Sequence, residues 1–210
     1  MATKGKVSGV IANMVTLKVD GPVAQNEICY IETGGDRLMS EVIKVSGEDV
    51  YVQVFESTRG LKIGAPADFS GHMLEVTLGP GMLSKNFDGL QNDLDKMKGV
   101  FLKRGEYTYP LDNDRLWRFE PIVKVGDKVC ASAWLGKVEE NFQPLKIMAP
   151  FTLEGEYTVK SIVPEGEYRI IDTIAVLENA KGDKIDVNMI QKWPVKVAMT
   201  NYVEKLRPFK

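Results

Sequence analysis

The stretch Val50-Tyr51-Val52-Gln53-Val54-Phe55 alternates valine with other side chains, which predicts a strand that buries one of its faces. Further short runs rich in β-branched residues lie on both sides of it, at 5–11, 14–19, 27–32 and 38–45. Turn-forming residues separate the runs, for example Asp20-Gly21-Pro22 and Gly34-Gly35-Asp36. Short strands at this spacing are typical of a small barrel, so residues 1–72 are predicted to form a six-stranded β-barrel.

The pattern changes downstream of the barrel. Apolar residues that recur every three or four positions, and so predict one face of a helix, are Leu83, Phe87, Leu90, Leu94 and Met97. Gly79-Pro80-Gly81 marks the start of this predicted helix, and Gly99 is expected to cap its end.

From about Trp117 the sequence is rich in β-branched residues again and contains two similar halves, residues 121–139 and 159–178. Each half reads as a strand, a Gly-Asp or Gly-Glu turn, a second strand and a closing strand that ends in glutamate. Two related halves of this kind predict a flattened barrel made of two sheets. Another β tract follows at 184–199, and residues 206–210 are expected to belong to a linker.

Composition argues against several classes of protein. The formal net charge of −2 over 210 residues disfavours a general nucleic-acid binder, which normally carries a basic surplus. The sequence has no run of about 20 apolar residues and no apolar segment near Met1, so a cytoplasmic location is expected. Cys29 and Cys130 are expected to be buried thiols, and His72, the single histidine, a loop residue. Neither a metal site nor a catalytic triad is therefore predicted, and no catalytic, cofactor-binding or metal-ligating residue is assigned.

The stretch from Gly79 to Asn86 superficially resembles a phosphate-binding loop. Such a loop needs a second glycine, a lysine and a hydroxyl residue in the order G-x-x-x-x-G-K-[ST]. Ser84 stands at the position of the second glycine, and Asn86 at that of the hydroxyl that would bind Mg²⁺. A structural turn is the preferred interpretation.

The two similar halves also resemble biotinyl and lipoyl carrier domains, whose modified lysine lies at a hairpin tip between the halves. Lys146 is the candidate lysine. Counting from Glu139, and back from Ala149-Pro150, places the tip at Phe142 and leaves Lys146 on the descending strand. The carrier fold is thus compatible with the sequence, whereas the carrier chemistry is not expected.

An oligonucleotide-binding barrel is a further alternative, because small barrels often stack bases on aromatic side chains. The aromatic residues of the first domain, Tyr30, Tyr51 and Phe55, do not alternate with arginine or lysine in a stripe. They are expected to lie in the core of the barrel.

One family fits these features in order along nearly the whole chain. Glu41-Val42-Ile43-Lys44 followed by the stretch 52–61 resembles the "GEVI…QVYEDTSGL" stretch of the catalytic subunits of V/A-type rotary ATPases. The stretch 71–91 is similar to their "SVELGPGLL…IFDGIQ" pattern, and Gln191-Lys192-Trp193-Pro194-Val195-Lys196 is similar to "QxWPVR". Lys44 in place of arginine, and Asn92-Asp93 in place of "RP", depart from the family pattern.

This resemblance implies four regions. Residues 1–72 would be a barrel in a crown of six, 73–111 the start of the nucleotide-binding domain with its helix, 112–187 an outward-facing bulge, and 188–210 a return strand and linker toward the P-loop. The P-loop and the other catalytic residues of the family lie beyond Lys210, so ATP and Mg²⁺ belong to the parent subunit and no cofactor is expected here. The implied partners are the non-catalytic B subunit, in an alternating hexamer, and peripheral stalk subunits, with only indirect membrane contact. A barrel-type module that binds a protein or small ligand, and a carrier domain, stay open as alternatives.

Overall fold

A computed structural model describes residues 3–97 and 103–199. In these residues the fold is all-β, with a closed barrel and further sheets, and it contains no helix. The chain divides into two units. The first unit comprises Met1–Val76, Lys96–Thr108 and Pro194–Lys196, and the second comprises Thr77–Asp95, Tyr109–Trp193 and Val197–Lys210.

The first unit is built on the predicted six-stranded barrel, which the structure confirms. Its strands are β1 (Lys4–Ile11), β2 (Met14–Val19), β3 (Glu27–Thr33), β4 (Asp36–Ser46), β5 (Asp49–Val54) and β6 (Pro66–Met73). They close in the order β1-β2-β5-β4-β3-β6, and each neighbouring pair is antiparallel. Closure leaves no open sheet edge, which is the usual protection against edge-to-edge aggregation.

The core of the barrel is mainly aliphatic, and the expectation that Tyr30, Tyr51 and Phe55 lie in it is wrong. Period-two alternation along β5 turns Val50, Val52 and Val54 inward, which places Tyr51 and Phe55 on the other face. Tyr30 is half-buried on the outer surface of β3, where the guanidinium of Arg37 stacks 4.1 Å from its ring centroid.

The predicted helix over 82–97 is also wrong, because this segment forms turns, irregular backbone and an isolated β-bridge between Phe87 and Asp93. The Asp88 carboxylate accepts hydrogen bonds from the backbone N–H groups of Leu90 and Asn92, at 2.9 and 2.8 Å, and such local side-chain bonds compete with a helix. Gln91 lies in the left-handed region at φ 64°, and its side-chain amide bonds both the N–H and the carbonyl of Thr77. The expected cap at Gly99 lies outside the described residues.

The second unit confirms the predicted internal repeat. Its strands are β8 (Leu116–Pro121), β9 (Lys128–Val129), β10 (Trp134–Glu140), β11 (Gln143–Met148), β12 (Tyr157–Ile162), β13 (Gly166–Arg169), β14 (Ala175–Asn179) and β15 (Lys184–Val187). They form two four-stranded sheets with the orders β11-β10-β8-β13 and β15-β14-β12-β9. The two halves correspond strand by strand: β8 to β12, β9 to β13, β10 to β14 and β11 to β15. Exchanging every strand with its counterpart converts one order into the other. Each sheet therefore takes three strands from one half and one from the other half.

Two further strands, β7 (Glu75–Leu78) and β16 (Gln191–Pro194), pair in a two-stranded sheet. The predicted domain boundaries after residues 72, 111 and 187 stay predictions. The expected linker at 206–210 lies outside the described residues.

A close approach inside the second unit explains one glycine. A Cβ on Gly136 of β10 would lie 2.2 Å from the ring of Phe119 and 2.8 Å from the carbonyl oxygen of Glu120. Phe119 is fully buried in the core beside Trp117, Val138 and Ile170. Glycine at position 136 thus lets the aromatic core of this unit come directly against the backbone of β10.

Candidate functional site

The loop that superficially resembles a phosphate-binding loop is held by a buried carboxylate of the same unit. Glu140, at the end of β10, is 3% exposed. Its Oε1 accepts hydrogen bonds from the backbone N–H groups of Gly81 and Leu83, both at 2.9 Å. In a phosphate-binding loop these are the groups that would cradle the anion. Here they already bind an anionic side chain of the protein.

The other polar groups of this loop are also engaged. The ammonium of Lys85 lies 2.8 Å from Asp93, whose side chain is almost fully buried. The hydroxyl of Ser84, a residue with φ 63°, accepts a hydrogen bond of 2.8 Å from the side-chain amide of Asn141. This geometry supports the interpretation of residues 79–86 as a structural turn.

The hairpin between β10 and β11 has its tip where the sequence places it. Glu140 pairs with Gln143, so the two-residue turn is Asn141-Phe142, and the prediction of the tip at Phe142 is confirmed. Lys146 lies on β11, paired with Lys137, and its ammonium is 5.0 Å from the ring centroid of Trp134. The carrier position at the tip is thus occupied by a phenylalanine, which cannot be acylated by biotin or lipoate.

The tip residue is unusual in two respects. Asn141 and Phe142 both adopt positive φ, at 49° and 61°, as a two-residue hairpin turn of this type requires. Glycine normally fills the second position, because a bulky side chain is strained there. The Phe142 side chain is nevertheless 92% exposed, so nothing in the described part of the second unit compensates its cost.

A groove of about 270 Å³ lies in the second unit, next to this hairpin. Its lining is mostly apolar and includes Met82, Leu83, Leu145, Met148, Phe151 and Met189. Gln191 holds one side of it, since its amide donates to the carbonyl of Met148 at 2.7 Å. Leu83 is 48% exposed at the other side. The groove has the character of a contact surface rather than of a catalytic cleft.

The first unit contains a second structural anchor, formed by residues 104–107. The Arg104 guanidinium lies 2.8 Å from the Asp36 carboxylate and also donates to the carbonyls of Ser57 and Arg59. The Tyr107 hydroxyl donates to Glu56 at 2.8 Å and accepts the N–H of Met39, also at 2.8 Å. Burial and the bond to Glu56 raise the pKa of Tyr107. These contacts fasten a distant part of the chain onto the barrel.

The cysteines and the histidine take simple structural positions. Cys29 is buried in the barrel core, where burial raises its pKa to about 12. Cys130 is exposed, so the expectation that both thiols are buried is wrong for this residue.

His72 lies in β6 rather than in a loop, and its Nδ1 is 2.8 Å from the carbonyl oxygen of Met73. Within 3–97 and 103–199, no three acidic, cysteine or histidine residues gather closely enough to hold a metal ion.

Glu140 and Arg104 are the anchors that sequence reasoning missed. Their partners lie 57 to 59 and 45 to 68 positions away, so no local pattern marks them. Among the residues that the structure describes, 3–97 and 103–199, no helix is long and apolar enough to span a membrane.

Comparison with known proteins gives two matching domain families that are consecutive along the chain. Residues 7–71 match the beta-barrel domain of the ATP synthase alpha/beta family. Residues 108–196 match the ATP synthase alpha/beta subunit barrel-sandwich domain.

Curated relatives cover almost the whole chain. It is 44% identical to the V-type ATP synthase alpha chain of Borrelia garinii subsp. bavariensis over 99% of its own length and 37% of that protein. The alpha chain of Borrelia hermsii is 46% identical over 99% of the chain and 36% of the relative. That of Treponema denticola is 44% identical over 98% of the chain and 36% of the relative. The chain thus spans little more than a third of the length of these relatives.

Proposed function

The chain belongs to the ATP synthase alpha/beta family and corresponds to the N-terminal region of V-type ATP synthase alpha chains, and we propose that it serves assembly within such an enzyme. The parent subunit would hydrolyse or synthesise ATP, with Mg²⁺, coupled by rotation to proton or sodium transport. The observation that carries the proposal is the identity of 44% along nearly the entire chain.

This part of the subunit would not bind ATP by itself. The loop 79–86 is the stretch closest in sequence to a phosphate-binding loop. Its N–H groups at Gly81 and Leu83 bind the Glu140 carboxylate, and its lysine pairs with Asp93. An incoming phosphate would have to displace one buried anion and compete with a second, both of which oppose binding.

The barrel would join barrels of the non-catalytic B subunits in an alternating ring. Its closed sheet supports this role, because a closed barrel offers side chains rather than free backbone edges to its neighbours. The region 112–187 would act as the bulge that contacts peripheral stalk subunits. The complex would be cytoplasmic and would reach the membrane only through its ion-translocating sector.

Calorimetry tests the absence of an ATP site. Titration of MgATP into the 210-residue chain is expected to give no binding heat at millimolar nucleotide. Tight, magnesium-dependent binding would overturn this part of the proposal.

Two further experiments test membership of the complex. A B subunit from the same organism is expected to retain the chain in a pull-down, whereas a carrier domain or an unrelated binding module would not be retained. The encoding DNA past Lys210 is expected to continue in frame to G-x-x-x-x-G-K-[ST] within about 40 codons. A frame without that motif would contradict the assignment of the parent activity.

A further inference from the structure

The groove and the hairpin tip of the second unit form one exposed apolar surface, here called the tip surface. It consists of Phe142, Leu83 and the groove lined by Met82, Leu145, Met148 and Phe151. Asn141 ties the tip to the loop that carries Leu83, because its amide donates to Ser84 at 2.8 Å. Large apolar side chains at 92% and 48% exposure, next to an apolar groove, are a costly arrangement for a surface in water.

The tip surface is held rigidly. Glu140 fixes the loop 81–83 with two backbone hydrogen bonds, and Gln191 fixes the opposite side through Met148. Phe142 has a left-handed backbone conformation at φ 61°, in which a bulky side chain is strained. A rigid, strained and exposed aromatic residue is a feature expected of a preformed contact.

The position of the last described residues indicates what covers this surface. Trp193 packs edge-to-face on the groove residue Phe151, with centroids 5.9 Å apart. Its indole N–H donates to the carbonyl of Val197 at 2.8 Å. The chain therefore passes residue 197 beside the groove. In the alpha chains that this sequence matches, more than half of the length lies outside the matched stretch, since the match covers 37% of the relative.

We infer that the tip surface is an intramolecular docking site, covered by the portion of the alpha chain that follows this region. The occupant is an apolar face of the same polypeptide. This inference rests on the proposed function. It adds to that function the contact that seats the second unit on the rest of its own subunit.

Cysteine accessibility tests the inference. Cys130→Ser removes the exposed native thiol, and Cys29 is buried. On this background, Phe142→Cys reports on the tip surface and Val125→Cys serves as a matched control. Val125 is 64% exposed in the same unit and does not line the groove. Both variants are made in the 210-residue chain and in the complete alpha chain, and the rate of alkylation by a maleimide is measured.

In the 210-residue chain, the introduced thiols of Phe142→Cys and Val125→Cys are both expected to react rapidly with the maleimide. In the complete alpha chain, the alkylation rate of Phe142→Cys is expected to be at least tenfold lower than in the 210-residue chain, and the rate of Val125→Cys is expected to be the same in both. Equal rates at position 142 in the two chains would overturn the inference. Protection that requires added subunits, or that rises with the concentration of the short chain, would also overturn it, because the cover would then be another molecule.

A second readout does not depend on cysteine. Phe142→Asp is expected to lower the melting temperature of the complete alpha chain and not to lower that of the 210-residue chain. No difference between the two chains would contradict the inference. Failure of the complete chain to bind MgATP would instead contradict the proposed function, so the two failures are distinguishable.

Discussion

Glu140 shows how one residue can fix a loop far away in the sequence. Its buried carboxylate accepts hydrogen bonds from the buried N–H group of Gly81 and from the part-buried N–H group of Leu83. Two charge-assisted hydrogen bonds to a single oxygen are stronger than neutral ones, and their loss leaves two backbone donors without an acceptor.

We predict that Glu140→Ala lowers the free energy of unfolding of the second unit by about 1–3 kcal/mol, since an unsatisfied buried donor, here the N–H group of Gly81, costs about that much. Glu140→Gln retains an acceptor oxygen and should lose less than half as much. Urea denaturation measures both, with the exposed neighbour Glu139→Ala as control. Equal stability of the alanine variant and the wild type would refute the anchoring role.

Gly136→Ala tests the close approach of Phe119. The added methyl group would overlap the ring and the Glu120 carbonyl, so β10 or the ring must move. We expect a loss of about 3 kcal/mol, at the upper end of ordinary overpacking costs. Gly89→Ala is the control, because a Cβ at position 89 meets no atom within 4 Å. Similar losses in both variants, measured by thermal denaturation, would contradict the explanation.

The thiol of Cys29 gives a prediction with a defined sign. Burial raises its pKa from an ordinary value of 9.0 to about 12, so above pH 9 the unfolded chain loses the proton while the folded chain keeps it. The stabilising contribution is therefore complete below pH 9 and declines by about 1.4 kcal/mol per pH unit up to about pH 12. Between pH 9 and 11 the free energy of unfolding of Cys29→Ala should decline less steeply with pH than that of the wild type. Parallel curves for wild type and Cys29→Ala would sink this prediction.

These residue roles depend on contacts that no local pattern encodes. The sequence placed Phe142 at a turn and Lys146 on a strand, because the hairpin can be counted from its neighbours. It did not separate a buried Cys29 from an exposed Cys130. Cys29 lies on β3 with its side chain in the barrel core, whereas Cys130 follows the end of β9 and is exposed.

The hairpin β10–β11 has a turn sequence that is unfavourable for its backbone conformation, and the residue responsible, Phe142, is exposed. Its turn favours Asn-Gly, yet the sequence has Asn141-Phe142. We predict that Phe142→Gly raises the free energy of unfolding of the 210-residue chain by about 0.5–1 kcal/mol, because glycine adopts this conformation without strain. Guanidinium denaturation measures the change. Destabilisation by Phe142→Gly would show that the ring makes stabilising contacts within this chain.

Strands were predicted well and the helix was not, for a physical reason. Alternation along β5 depends on the burial of one face, which the closed barrel enforces. In contrast, the four-three spacing from Leu83 to Met97 competes with local bonds from Asp88 and with the left-handed Gln91. Spacing alone does not report those competing bonds.

On the scale of the whole molecule, the chain contributes to the first unit three separate times. Arg104 and Tyr107 anchor the second segment, Lys96–Thr108. Lys196 anchors the third segment, Pro194–Lys196, because its ammonium contacts the Glu41 carboxylate. The barrel was predictable from sequence, but these returns were not, because they join residues up to 170 positions apart, as in the hydrogen bond from Lys196 to Asn26.

Tyr107→Phe tests whether the Tyr107 hydroxyl anchors the segment Lys96–Thr108 to the barrel. Removal of the hydroxyl leaves the Met39 N–H and the Glu56 carboxylate without this partner, which should cost about 1–2 kcal/mol of unfolding free energy in the first unit. Tyr51→Phe, on the surface of the same barrel, should change it by less than about 0.5 kcal/mol. The comparison uses thermal unfolding followed by circular dichroism. Equal shifts in the two variants would deny the hydroxyl its anchoring role.

Because each sheet of the second unit takes one strand from the other half, this unit cannot complete its sheets early during synthesis on the ribosome. The sheet of β8, β10 and β11 needs β13, so it stays incomplete until Arg169 has been synthesised. The six strands of the barrel, by contrast, have all been translated once Met73 is reached. Because such long-range pairing is slow, we expect nascent chains arrested between these points to hold a formed barrel, once it has left the ribosome, and an incomplete second unit.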